Sequence, residues 1–193
     1  MNYPLPPAFR KSAKLLIMSS ALVQVLATKI DQDAALIEEM LAMIPPGKQD
    51  WRPDWPTTDN EPPFHTTRLA AHLVDCMAGL LACFYRLHPQ TLAHFNTLKN
   101  QLSNTPNPSL PESRAFCTIC RTHIAEGFSH TTDPQLAQLI PTYFSPQGEA
   151  FLSVLLDNVK HLNHHAYQLF VYLKLLGLPV STRHIYHFNT RPE

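Results

Sequence analysis

Glycine is scarce in this chain, with 5 in 193 residues, and neither Asn-Gly nor Asp-Gly occurs. Those dipeptides are the strongest short-range hairpin signals, so their absence argues against a sheet built from tight hairpins. Net charge is lacking too, since 15 Lys+Arg balance 15 Asp+Glu. Such a balance carries no footprint for nucleic acid or an anionic membrane surface, and neither is expected as a partner. No run approaches the ~20 apolar residues that a membrane span needs. The four cysteines, Cys76, Cys83, Cys117 and Cys120, lie inside helix-like runs, and a chain this long needs no disulfides to fold. A reducing, cytoplasmic compartment is the expectation. One segment imitates a secretory leader: Arg10, Lys11 and Lys14 precede the run Leu15 to Ala27, and Val25-Leu26-Ala27 has the form of a cleavage site. Ser19, Ser20 and Gln24 interrupt that run at helical spacing, and Asp31, Asp33, Glu38 and Glu39 continue an amphipathic pattern, which favours a helix.

Hydrophobic residues make up 45% and charged residues 16%, a composition that suits one folded domain over 1–193. Prolines divide the chain. A first helical pattern runs from Ala8 to Ile44, with an irregularity expected near Thr28–Asp33, and Pro45-Pro46-Gly47 stops it. A Pro/Trp-containing loop spans 45–63, and its Trp51 and Trp55 suggest packing onto the domain. Further helices are predicted over Phe64–Leu87 and Pro89–Leu102. Another starts at the capping box Ser109-Leu110-Pro111-Glu112 and ends near Gly127. Ser145-Pro146-Gln147 is read as opening the last helix, and Gly177 with Pro179 as closing it, leaving a tail over 178–193. His184, Tyr186, His187 and Phe188 in that tail are read as covering a bundle end or a dimer surface. Four principal helices with short accessories predict an all-α bundle.

The histidines carry the chemistry, and five of the 11 sit at or after residue 161. At about 100° per residue, Phe151, Leu155, Leu162, Leu169 and Leu173 make an apolar stripe. Val154, Asp157, His161, His165, Gln168 and Tyr172 form a second stripe beside it. Polar groups placed there need partners, because each unsatisfied group costs roughly 2–7 kcal/mol. His161 and His165 stand one turn apart, a spacing that lets two imidazoles meet one ion. In the second helix, His65, His72, Cys76, Gly79 and Cys83 share a stripe bordered by Leu69, Leu73, Leu80 and Leu87. His72 therefore joins the pair as a candidate third ligand for one divalent metal, and Gly79 leaves room for a pocket.

At this point the chain resembles the DinB-like (DinB/YfiT-like) family of metal-binding four-helix bundles, from about residue 12 to Pro179. The anchors are Asp50-Trp51-Arg52-Pro53, Leu69-Ala70-Ala71-His72-Leu73-Val74-Asp75, and His161-Leu162-Asn163-His164-His165-Ala166-Tyr167-Gln168. Tyr172-Leu173-Lys174-Leu175-Leu176-Gly177 follows at the family's usual distance. The resemblance implies an up-down-down-up four-helix bundle, a homodimer, and three metal-holding histidines that map onto His72, His161 and His165, with His164 pointing elsewhere. It implies nickel or zinc as the ion, a small-molecule substrate, and either metal-dependent hydrolysis or transfer using a low-molecular-weight thiol. Ala166 and Tyr167 replace the frequent Arg-Gly before Gln168, so an anion or thiol contact made by that arginine is missing.

Plainer readings stand beside these. The three histidines read equally as core imidazoles bonded to carboxylates such as Asp75 or Asp157, which would serve as orienting acceptors if a metal is present. Cys117-Thr118-Ile119-Cys120, with His123 nearby, lacks a second cysteine pair and reads as core packing, with Phe116, Ile119, Cys120 and Ile124 inward. Cys76 is a rival ligand. No general base is assigned, and Asp157 and His164 are candidates by proximity alone. A noncatalytic metal-binding or ligand-sensing module, and a bundle that holds no metal, are the alternatives to an enzyme.

Overall fold

The computed structural model describes residues 20–55, 63–105, 107–143 and 145–186. Five α-helices dominate: α1 (Ala21–Ala42), α2 (Thr66–Leu87), α3 (Ala93–Ser103), α4 (Leu110–Ser129) and α5 (Phe151–Leu175). The all-α expectation holds. Among the described residues the one sheet is a two-residue antiparallel pair, β1 (Leu139–Ile140) with β2 (Glu149–Ala150), in the register Leu139 to Ala150. In space α1 packs on α4 and α5, α2 packs on α4 and α5, and α3 lies against α2. The four long helices thus share one apolar centre, filled by Ile37, Met40, Leu73, Met77, Leu81 and Phe84 at no more than 1% exposure.

The helical periodicity places these side chains. Phe151, Leu155, Leu162, Leu169 and Leu173, the apolar stripe of α5, are all fully buried. Cys117 and Cys120 are fully buried free thiols, as core packing requires, and burial pushes the Cys120 thiol up to about 12. Ile119 was expected inward but is 38% exposed; it lies one position off the buried stripe of Cys117, Cys120 and Ile124. α2 is long and apolar enough, by length and mean hydropathy of 1.3, to cross a membrane, contrary to the expectation of no such run. That stretch is 67% buried by its helical neighbours.

Several boundaries differ from the sequence reading. The stretch Ala8 to Ser19 lies outside the described residues, and α1 is continuous through Thr28–Asp33. The first free amides of α1, Leu22 and Val23, donate to the Asp133 carboxylate at 3.2 and 2.9 Å. Asp133 belongs to a 3-10 turn, Asp133–Ala137, which sequence patterns did not reveal. Ser145-Pro146-Gln147 does not open α5. It forms the turn of the β1–β2 hairpin, with Gly148 at φ +102°, and α5 begins at Phe151. α3 starts at Ala93, four residues after Pro89, and α4 ends at Ser129, two residues past Gly127. The expected capping box is present: Ser109 N–H donates to Glu112 Oε2 at 2.8 Å and Glu112 N–H donates to Ser109 Oγ at 3.4 Å. Gly177, at φ +78°, ends α5, and Leu178 N–H reaches back to the Leu173 carbonyl at 3.0 Å. In the tail, His184 is 1% exposed within a second 3-10 turn, and His187 and Phe188 lie outside the described residues.

Candidate metal centre

Three imidazoles meet between α2 and α5. His72 Nε2 lies 3.1 Å from His165 Nε2 and 3.2 Å from His161 Nε2. The His161 and His165 rings, one helical turn apart, have centroids 4.8 Å from each other. His164 is exposed and makes neither of these contacts, as expected for a residue a quarter-turn or so away.

The proton arrangement of His165 follows from a chain of partners. Tyr172, fully buried, donates its hydroxyl to the Phe64 carbonyl at 2.9 Å. The hydroxyl oxygen accepts from Gln168 Nε2 at 3.1 Å, which turns Gln168 Oε1 toward His165 Nδ1 at 3.0 Å. His165 must then carry its proton on Nδ1, and Nε2 presents a lone pair to His72. Trp51 and Trp55 hold Tyr172 from the loop side, with edge-on ring contacts at 5.5 and 5.9 Å. Trp51 is itself fixed, because its carbonyl accepts from Thr66 N–H and Thr66 Oγ1 at 2.9 and 2.8 Å. The aromatic anchoring read from the loop sequence therefore reaches the histidine cluster through Tyr172.

Hydrogen bonding alone satisfies this cluster poorly. His72 Nε2 faces two ring nitrogens but carries at most one proton, and the His165 nitrogen is already a bare acceptor. Charging the rings is no remedy. Burial, then the neighbouring His165, His161 and Arg68, push His72 down to about 4, and burial with His165 and His164 lowers His161. His72 and His161 are thus held in the neutral form near pH 7, the form that ligates metal. Each of the two separations from His72 suits a pair of ligands on one divalent ion, since metal–nitrogen bonds of about 2.0–2.1 Å in a tetrahedron put ligand nitrogens roughly 3.3 Å apart. The set whose ligand atoms all lie within 4.8 Å of one another is His72, Cys76 and His161.

Neither Asp75 nor Asp157 bonds any of the three rings, contrary to the carboxylate roles expected; Gln168 is the orienting partner. It was visible in the sequence as the next member of the His161–His165 stripe and as the end of the anchor that starts at His161. His65, placed on the ligand stripe, instead caps α2, its Nδ1 accepting from Arg68 N–H at 3.1 Å. Cys76 stays a rival: its sulfur lies within 4.8 Å of ligand atoms of His72 and His161, although burial pushes the thiol up to about 12.

A cavity of about 530 Å³ opens beside the cluster, walled by His72, His161, Cys76, Asp75, Asp157 and Arg86 among others. Burial raises Asp75, so its neutral form is favoured relative to a free carboxylate. Gly79 lines this cavity, and a β-carbon there would stand 2.8 Å from Asn158 Oδ1. The glycine thus leaves room that the Asn158 amide partly takes, with Asn158 Nδ2 donating to the Val154 carbonyl at 2.8 Å. Compared with family models and with curated proteins, the chain matches none.

Proposed function

We propose that this protein is a divalent-metal-dependent enzyme of the DinB-like kind, a hydrolase or a small-thiol-dependent transferase, with His72, His161 and His165 as the metal ligands. The reading includes that family's up-down-down-up four-helix bundle, a homodimer in the cytoplasm, and nickel or zinc as the ion. The observation that carries it is the pair of Nε2 contacts at 3.1 and 3.2 Å around one half-buried histidine. A bound divalent ion would supply Lewis-acid chemistry, and three neutral imidazoles would leave its full charge available to lower the pKa of a bound water or thiol.

The chain's own residues supply the rest. Gln168 and Tyr172 orient His165 through their hydrogen-bonded chain. The 530 Å³ cavity, of a size that takes a small molecule, admits the substrate on the side of His72 and His161. Asp157 lines that cavity and His164 does not, so Asp157 is the better candidate to accept a proton from the substrate or nucleophile. Arg86, on the same wall, supplies positive charge for an acidic substrate group, a role the missing family arginine does not fill here.

Elemental analysis of purified protein beside the His161→Ala variant tests the metal. About one equivalent of nickel or zinc, lost in the variant, is expected at this centre. Metal-free wild-type protein that takes up neither ion on titration would sink the proposal. Ester and amide substrates, and thiol transfer to electrophiles, are then assayed with and without metal. Full metal loading with no metal-dependent turnover would favour the noncatalytic, ligand-sensing alternative.

A further inference from the structure

Outside that cavity, His94 on α3 and His123 and Glu126 on α4 bring two ring nitrogens and a carboxylate oxygen within 4.8 Å of one another. We infer that His94, His123 and Glu126 form a second divalent-metal site, one that staples α3 to α4. Neither the resemblance nor the first site calls for it.

Three features prepare these side chains for an ion. His123 and Glu126 are three residues apart on α4, which places both on one face and leaves His94 to approach from the other helix. His123 Nδ1–H donates to the Ile119 carbonyl at 2.9 Å, so its Nε2 carries a lone pair. A second ring nitrogen bonded to a backbone carbonyl is the usual outer support of a metal-binding imidazole. The ring is also held by Phe95, a fully buried residue beside His94, at 5.6 Å in an edge-on contact. On the opposite side, His94 Nε2 already sits 3.2 Å from Glu126 Oε2. Without an ion, His94 Nε2–H donates to that carboxylate; a cation would displace this proton, leave the ring protonated on Nδ1 and meet the lone pairs of both atoms.

The donor set selects the ion. Two imidazoles and one carboxylate suit zinc, nickel or copper, whereas magnesium and calcium demand mostly oxygen ligands. The carboxylate offsets one of the ion's two charges. His94 is 47% and Glu126 37% exposed at the side chain, so water completes the coordination. A half-neutralised, water-open site suits cross-linking better than catalysis. α3 rests on α2, and α4 on α2 and α1, so a link from His94 to His123 and Glu126 would close a triangle of helices.

The test is made in protein carrying His72→Ala and His161→Ala, where the first site no longer contributes. Zinc titration should find one ion per chain there, and none once His123→Ala is added. Zinc should also raise the melting temperature of the first protein and leave that of the second unchanged. Glu126→Gln should weaken zinc binding at least tenfold, and a large excess of magnesium should not compete. Should the double variant fold poorly, His123→Ala alone in the otherwise unaltered chain should lower bound zinc by one equivalent with unchanged helix content. Zinc uptake that is absent from the His72→Ala/His161→Ala protein, or that survives His123→Ala, overturns the inference, and either result leaves the three-histidine centre untouched.

Discussion

His165 and His123 each give a ring N–H to a partner on their own helix, His165 to the Gln168 side chain and His123 to the Ile119 carbonyl. Their surroundings then diverge. The His165 cluster is all imidazole, lies beside a large cavity, and rests on Tyr172, which is buried completely. The His123 cluster includes a carboxylate and stands near the surface. In the proposed reading the first arrangement would keep an ion's charge unspent and give a substrate access to it, and the second would spend half of that charge on holding the ion. One device, a ring oriented through its far nitrogen, would in these two proposals serve reactivity in one place and cross-linking in the other.

The largest effect expected is on metal affinity at the three-histidine centre. His72→Ala, His161→Ala and His165→Ala should each weaken it beyond the roughly 100-fold upper range for loss of an outer-shell partner. Calorimetric titration measures this, with circular dichroism confirming an unchanged helix content, since the apolar stripes stay intact. His164→Ala should bind as the wild type does. If His164→Ala empties the site while His161→Ala leaves it full, the assigned face of α5 is wrong.

Next in size is the support of His165. Gln168→Leu should weaken metal binding by roughly 10–100-fold, because the ring loses the acceptor that sets its tautomer. Tyr172→Phe should act more on the fold: it removes the bond to Phe64 and strips Gln168 of a partner, at about 1–3 kcal/mol in chemical denaturation. Equal metal affinity in Gln168→Leu and wild type would show that the ligands need no such orientation.

Two glycines separate rigid packing from adaptable lining. A β-carbon on Gly127 would stand 2.5–2.8 Å from the ring of Phe84, which is fully buried, so Gly127→Ala should destabilise the protein by about 1–3 kcal/mol. On Gly79 it would meet only the end of the Asn158 side chain, which can swing away. Gly79→Ala should therefore cost less stability but narrow the cavity and raise KM for any substrate that enters it. Urea midpoints of the two variants in the reverse order would contradict this reading.

The smallest effect concerns pH. Burial and the nearby His130 hold His88 below the ordinary histidine range, while its Nε2 faces Thr131 Oγ1 at 3.4 Å. A pKa lowered on folding means the unfolded chain takes up the proton first. The stability His88 contributes is thus complete above its unfolded value of about 6.5 and declines as the pH falls through its folded value. His88→Gln should flatten stability against pH slightly in that acid window. An unchanged slope would mean that His88 titrates alike in both states.

What was legible beforehand follows from how local each feature is. The stripe of Phe151, Leu155, Leu162, Leu169 and Leu173 and the Ser109–Glu112 box were readable because helix geometry alone decides which residues share a face and which amides lack partners. By the same geometry the sequence itself put His161 beside His165, and His123 beside Glu126, although the latter pair carries little signal without its third member. The β1–β2 pair escaped because two residues carry no period, and the proline turn between them resembles a helix start. Everything that joins distant segments belonged to tertiary structure: His72 to His161 across 89 positions, Tyr172 to Phe64 across 108, and His94 to Glu126 across 32. A repeating pattern says that a side chain points inward, but the neighbour it meets depends on how whole helices pack, and that is settled by the summed burial of all their stripes.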